Sequence, residues 1–431
     1  MLHDLYPIRQ NNKEGYIDAD GKIVIKPQFE FADIFSRDTA CVAMILDNTT
    51  PIKTLLSDYY PPTWGYIDCY GRWAAEPKFD HDVSFPPEKS IVMNGKDGKW
   101  GYIRQNCDIS DHWSLKIDFI VNPAFEDIGM TFSEDLACVK TDGKWGYISL
   151  KTIENKDFSN TLHYGTNRIP IDMTGEYAIT PQFDDAYNFH EGLARVMIET
   201  EKNPLYDSPY IHWYVKPSKG KWGFIDKTGQ FIINPQYDIA GNFIEGLAAV
   251  KIDGKFGYID KNGEFAIKPQ FDTVTDFSQG LACVSANGKY GYINKKGEYF
   301  IKPLFDDADN FNDGIAIVKI NDKCHYITRD SLPKRAWGKR MFFRRLLISI
   351  KGFDDAKPYK EGFAAVKKNG KYGYINKKGE YAIKPQFDEA HYFIGKVAPI
   401  KQDGKFHYIN QKGEIIWTSD EFPYIWLHLH D

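Results

Sequence analysis

An all-β fold is the expectation for this chain of 431 residues. Three observations set it. Aromatic residues are abundant, with 29 Phe, 27 Tyr and 10 Trp, and 35 Gly punctuate them. Aromatics favour strands and glycine favours tight turns. A Gly-Tyr-Ile core recurs, each copy standing between two turn signals, and its clean period is 34 residues, as from Gly254 to Gly288. The expected architecture is a tandem array of about ten three-stranded antiparallel meanders. Its form is an open solenoid or superhelix, with a closed propeller-like ring as the alternative. A single meander of this size cannot bury enough surface to fold alone, so neighbours must stack.

The copies align on Ile17, Ile67, Ile103, Ile148, Ile225, Ile259, Ile293, Ile327, Ile375 and Ile409. Tyr or Phe precedes each of these isoleucines. Successive spacings are 50, 36, 45, 77, 34, 34, 34, 48 and 34, so the longer gaps read as insertions.

The unit around Ile259 shows how each element arises. Leu247 to Ile252 is the first strand. Asp253-Gly254 is the favoured dipeptide for a two-residue hairpin turn, where both positions need positive φ. Asp97-Gly98, Asp142-Gly143, Asn287-Gly288, Asn369-Gly370 and Asp403-Gly404 fill the same slot. Lys255 to Ile259 is the second strand. Asp260 to Gly263 follows as a side-chain-capped turn. The third strand alternates, with Phe265, Ile267 and Phe271 on one face and Ala266, Lys268 and Gln270 on the other. Pro269 has no amide hydrogen and should mark a strand end or an edge. Asp272 to Gly280 then links to the next unit.

The array is expected to occupy 1–431, with units beginning near 13, 62, 98, 143, 220, 254, 288, 322, 370 and 404. Insertions fall at 46–60, 107–117, 149–170, 200–217 and 329–346. Uninterrupted copies carry Asp or Asn after the core Ile, as at Asp260 and Asn294, whereas interrupted copies carry Arg104, Ser149 and Thr328. That pattern fits a turn-capping role for the acidic and amide side chains.

The insertion at 329–346 has its own composition. Arg329, Lys334, Arg335, Lys339, Arg340, Arg344 and Arg345 place seven cations within 17 residues, opposed only by Asp330. Trp337, Met341, Phe342 and Phe343 are interleaved. Cations with aromatics suit an anion- or partner-binding loop. The blander reading is a solvated loop docked on the array. The candidate contact set is Lys334, Arg335, Trp337, Lys339, Arg340, Phe342, Phe343, Arg344 and Arg345.

Other chemistry is sparse. The formal net charge of −5 argues against a general nucleic-acid binder. No apolar run is long enough to span a membrane. The start, MLHDLYPIRQ, lacks a secretory pattern, so a cytoplasmic location is expected. There is no phosphate-binding loop, zinc-protease motif or nucleophile elbow. The six cysteines lack zinc spacing, and Cys41, Cys138 and Cys283 share one small core slot. No metal, cofactor or disulfide is expected. His428, His430 and Asp431 form a weak metal-like tail that reads better as packing. An acidic slot recurs as Glu30, Asp80, Glu126, Asp184, Asp238, Asp272, Asp306, Asp354 and Asp388. Backbone hydrogen bonding at a turn explains it better than a calcium ladder. The aromatic before the core Gly recurs as Trp64, Trp100, Trp145, Trp222, Phe256, Tyr290, Tyr372 and Phe406. Core packing is its first reading and an exposed stacking row its second.

Residues Gly220 to Asp226, Gly143 to Ile148 and Gly98 to Ile103, each followed by a Gly turn and a PQF-type segment, resemble the WG repeat family of bacterial proteins. The resemblance runs from about Glu14 to about Trp417, with departures at Glu14, at Cys324-His325 and at 348–353. It implies an all-β repeat array with a binding or scaffolding role and no catalytic residues. The leading functional expectation is a non-enzymatic protein-interaction scaffold, with an immunity or antitoxin-like protein as a special case and an acidic protein as partner. A carbohydrate or cell-envelope binder is the second expectation. An enzyme with its site in the insertions, around His163, Asp207 and His212, is the third.

Overall fold

The computed structural model describes residues 4–35, 39–45, 52–53, 58–59, 63–79, 91–94, 99–108, 114–129, 132–149, 177–201, 219–329, 352–419, 421 and 423. All regular elements among them are strands. No helix among the described residues is long and apolar enough to cross a membrane. Among the described residues the strands pair into ten antiparallel sheets of three or four strands and one sheet of two. The chain divides into two compact units, one holding Phe29–Asp238 and the other holding His3–Gln28 with Ile239–Asp431.

The sheet around Ile293 illustrates the repeating order. A two-residue lead strand, Thr273–Val274, pairs with the outgoing strand Leu281–Ala286. The outgoing strand pairs with the core strand Lys289–Asn294 through Asn287-Gly288, whose φ values are 53° and 72°. The core strand pairs with the return strand Tyr299–Phe305. The expected three-stranded meander is therefore extended. The stretch taken as a plain linker, Asp272 to Gly280, supplies the lead strand and then a second tight turn. There Ser278 and Leu281 pair across Gln279-Gly280, both at positive φ. The outgoing strand had a free edge, and the lead strand satisfies its backbone groups.

The third-strand alternation needs a second correction. Ile267 and Phe271 are buried, but Phe265 is 41% exposed. The register of the return strand shifts between Phe256 and Tyr258 and again between Tyr258 and Ile259. These bulges break strict alternation. Pro269 lies within this strand, on the outer edge of the sheet, where its missing amide costs no ladder bond.

The apolar core sits between successive sheets. Tyr258, Ile267 and Phe271 of one sheet pack with Phe277, Ala282, Val284 and Ile293 of the next. Where the core strand carries tyrosine before its Ile, as at Tyr102, Tyr147, Tyr258, Tyr292, Tyr326, Tyr374 and Tyr408, the hydroxyl reaches forward to a backbone carbonyl. Tyr258 donates to the Thr275 carbonyl at 2.7 Å and Tyr292 to the Asp309 carbonyl at 2.6 Å. In the last sheet Tyr408 donates to the Pro7 carbonyl at 2.7 Å, so the N-terminal hairpin takes the successor's place. Ser419 Oγ donates to the Arg9 carbonyl at 2.6 Å. Arg9 also reaches Glu421 at 3.0 Å and the fully buried Glu14 at 3.2 Å. Glu14 stands where other units carry the aromatic, and its ion pair replaces that ring.

Two insertions fall partly on described residues. That at 107–117 continues a hairpin, with Cys107 opposite Leu115 and Asp108 opposite Ser114. That at 46–60 pairs Ile52–Lys53 with Asp58–Tyr59. Apart from Ser149, Thr200, Glu201 and Arg329, the insertions at 149–170, 200–217 and 329–346 lie outside the described residues.

Candidate functional site

The recurrent polar slots can be sorted by what they touch. Asp272 accepts from Lys255 Nζ at 2.5 Å within its own sheet and from the Asn287 amide of the next sheet's turn at 2.9 Å. Asp306 does the same with Lys289 and the Asn321 amide, and Asp388 with Lys371 and the Asp403 amide. The lysine hydrogen bond, then the backbone amide, holds Asp272, Asp306 and Asp388 below the usual carboxylate range. The acidic slot is thus a structural clamp between neighbours. Its amide donor comes from the following unit's hairpin.

A second clamp uses the tight turn that the sequence reading passed over. Glu245 accepts from the Gly280 amide and from Lys295 Nζ, both at 3.0 Å. Glu134 accepts from the Gly192 amide at 3.0 Å and pairs with Lys227 at 3.1 Å. Gln279 Oε1 accepts from the Gly314 amide at 2.9 Å, while Arg329 Nη1 donates to the Gln279 carbonyl at 2.6 Å. Glu-Gly, Gln-Gly and Asp-Gly pairs mark this turn in the sequence and were the available signal.

The residues after the core Ile cap turns as expected. Asp260 Oδ1 accepts from the Asn262 amide at 2.9 Å and the Glu264 amide at 3.0 Å. The cysteines of the shared slot, Cys41, Cys138 and Cys283, are buried. Burial pushes the Cys138 and Cys283 thiols up to about 12. Among the described residues no cluster of three or more His, Cys, Asp or Glu has metal-binding geometry. His407 Nδ1 lies 2.9 Å from Thr418 Oγ1. His163, Asp207, His212, His428, His430 and Asp431 lie outside the described residues.

The aromatic slot before the core Gly is not an open row. Trp145, Phe256, Tyr290 and Tyr372 are half-buried against the inter-sheet clusters. Lysines cover several of these rings, with Lys251 5.2 Å from the Phe256 centroid and Lys401 5.4 Å from that of Phe406.

The exposed apolar row lies elsewhere, at the first residue of the return strand. Trp73, Tyr177 and Phe231 occupy it in one compact unit, at 38–39% exposure. Ile23, Phe265, Tyr299, Tyr381 and Ile415 occupy it in the other, at 37–49%. The rings of Trp73, Tyr177, Phe231, Tyr299 and Tyr381 lean edge-on against a phenylalanine of the preceding sheet. Phe183–Phe231 centroids are 6.0 Å apart at 87°, and Phe271–Tyr299 are 6.4 Å apart at 83°. The rest of each ring faces solvent. The sequence reading placed Phe265 in the core and so missed this row. Its signal is an aromatic two residues after the glycine of the second turn, as in Gly71-Arg72-Trp73, Gly229-Gln230-Phe231 and Gly263-Glu264-Phe265. The contact set proposed from sequence, Lys334 to Arg345, lies outside the described residues.

Comparison with known proteins adds a family and a set of remote folds. The family model described as the WG containing repeat matches residues 15–44, 118–145, 171–199, 222–256, 256–290, 290–324, 347–372 and 372–406. No curated protein matches the chain. Among solved structures, a eukaryotic initiation factor matches at 10% identity and TM-score 0.45, over 97% of this chain and 96% of that one. PorZ of Porphyromonas gingivalis, a surface component of the type-IX secretion system, matches at 9% identity and TM-score 0.27, over 96% and 59%. Hsv2 of Kluyveromyces lactis, with loop 6CD replaced, matches at 9% identity and TM-score 0.26, over 40% and 62%. The chain thus spans less than two thirds of that Hsv2 chain and of its complete-loop form, at 62% and 59%.

Proposed function

Because the chain belongs to the family built from the WG containing repeat, we propose that it is a non-enzymatic interaction scaffold of ten tandem units. Its contact surface is the exposed row at the start of the return strands. One observation carries this reading. The recurrent acids, the turn caps and the lysines that meet them are taken up in bonds within and between neighbouring sheets, while the first residue of the return strand leaves an apolar side chain facing solvent in eight of the described sheets. Repeated apolar side chains that stay 37–49% exposed suit a protein interface. The cation-rich segment Arg329 to Leu346 is proposed as a second contact, steering an acidic protein. Buried, unpaired thiols at Cys138 and Cys283 fit a reducing, cytoplasmic setting. The carbohydrate reading is weakened, because the row it relied on is half-buried and covered by lysines.

Affinity capture tests the proposal. Wild type is compared with Phe265→Ser/Tyr299→Ser/Tyr381→Ser and with a chain lacking Arg329 to Leu346. Loss of the same captured protein from the aromatic variant, with an unchanged melting curve, supports the scaffold reading. Equal capture by all three chains contradicts it.

A further inference from the structure

The lysines of this protein fall into separate groups. Lys255, Lys289 and Lys371 are engaged with Asp272, Asp306 and Asp388. Lys295 is engaged with Glu245, and Lys251 and Lys401 lie over rings. Lys268, Lys302 and Lys384 are different. Each is exposed on the outer-edge return strand and has no ion-pair partner among the described residues. Each stands three residues after an exposed ring, so Phe265 goes with Lys268, Tyr299 with Lys302 and Tyr381 with Lys384. All six lie in the compact unit that holds Ile239–Asp431. In the other compact unit the equivalent residues after Trp73, Tyr177 and Phe231 are Glu76, Thr180 and Asn234. The apolar slot therefore recurs in each unit, and cations with no ion-pair partner among the described residues accompany it in one.

We propose that the return-strand row of the second compact unit docks an extended acidic polypeptide, whose apolar side chains rest on Phe265, Tyr299 and Tyr381 while its carboxylates meet Lys268, Lys302 and Lys384. This rests on the scaffold reading and names the partner's chemistry. Charge complementarity selects the occupant. An exposed lysine three residues along the strand from an exposed ring, repeated in three sheets, matches a chain that alternates acidic and apolar residues, and such rim charges steer encounter more than they add affinity. A polyphosphate fits less well. Duplex nucleic acid carries about one charge per 1.7 Å of axis, whereas here one lysine per sheet is interleaved with a carboxylate. Those carboxylates are Glu298 and Glu380, held by Asn294 at 2.8 Å and Asn376 at 3.1 Å. The contact is by side chains, because Pro269 and Pro385 interrupt the amides that strand addition to this edge would need.

The test is fluorescence anisotropy on the full chain with a labelled peptide alternating Glu and Leu. Its Gln–Leu counterpart, a single-stranded DNA and phosphatidylglycerol vesicles serve as competitors. The expected result is binding of the Glu–Leu peptide that weakens as salt rises. Lys268→Glu/Lys302→Glu/Lys384→Glu should weaken it about tenfold with an unchanged melting curve. No binding to wild type, equal binding to the lysine variant, or stronger competition by DNA or vesicles would each overturn the proposal. The capture experiment separates the two readings. A captured partner lost with the aromatic variant but kept by the lysine variant overturns the acidic assignment alone, and a partner kept by both overturns the scaffold as well.

Discussion

Gly257 lies directly beneath the carbonyl of Ile267: a Cβ on this glycine would stand 2.5 Å from that oxygen and 2.7 Å from Pro269 N. Gly223, Gly291 and Gly373 meet the carbonyls of Ile233, Ile301 and Ile383 at the same 2.5 Å. The glycine of the repeated motif is therefore a place where the bulged return strand crosses the core strand. The two exceptions agree with this. His407 replaces the glycine in the last sheet, and there the shift beside the slot is lost: Phe406, His407 and Tyr408 stand opposite Ser419, Thr418 and Trp417, and only the shift between Tyr408 and Ile409 remains. His325 replaces it in the eighth, and among the described residues its core strand meets only a Cys324–Phe353 bridge on that side.

Gly257→Ala should cost about 3 kcal/mol, because backbone rather than a flexible side chain must move. Gly254→Ala should cost about 1 kcal/mol, since that site has φ of 78° but nothing within 4 Å. Denaturant midpoints measure both, and equal losses would contradict the crossing.

Ile293 is fully buried between two sheets. Ile293→Ala should lower stability by about 2–5 kcal/mol. Hydrogen exchange should rise most in its own sheet and the two neighbours, since repeats chiefly contact neighbours. Uniform exchange across the chain would count against that.

Stability should fall in acid through the clamps. Asp272, Asp306, Asp354 and Asp388 are held below their usual range, first by Lys255, Lys289, Lys323 and Lys371. A lowered carboxylate contributes stability above the unfolded value near about 4, and loses it as pH drops further. The quadruple Asp→Asn variant should melt below wild type at neutral pH, and the two curves should converge in acid. Parallel curves at every pH would remove the clamps.

Thiol labelling gives a further check. Cys138 and Cys283 are buried and their thiols pushed up to about 12, so native protein should label slowly there. Cys69 and Cys324 are less buried and should label before them. Rapid native modification of Cys283 would contradict the packing.

The order of strands and the turns were legible because each rests on local chemistry. Asn287-Gly288 needs only its own φ values, and Asp260 caps its own turn. The lead strand was not legible, since Thr273–Val274 is two residues long and exists only by pairing with Leu281–Ala286. The exposed row was hidden for a related reason. Alternation placed Phe265 with Ile267, and the bulges forced by Gly257 undo alternation at that point. The clamps were half legible. A carboxylate slot is visible in sequence, but its donor lies in the next unit.

The central claim is that the return-strand row is the contact surface. Hydroxyl-radical footprinting of the full chain, alone and with its captured partner, tests it most directly. Oxidation of Phe265, Tyr299 and Tyr381 should fall on binding while that of Phe256 and Tyr290 stays constant. Protection confined to residues off the row, or none at Tyr299 and Tyr381, would contradict the account.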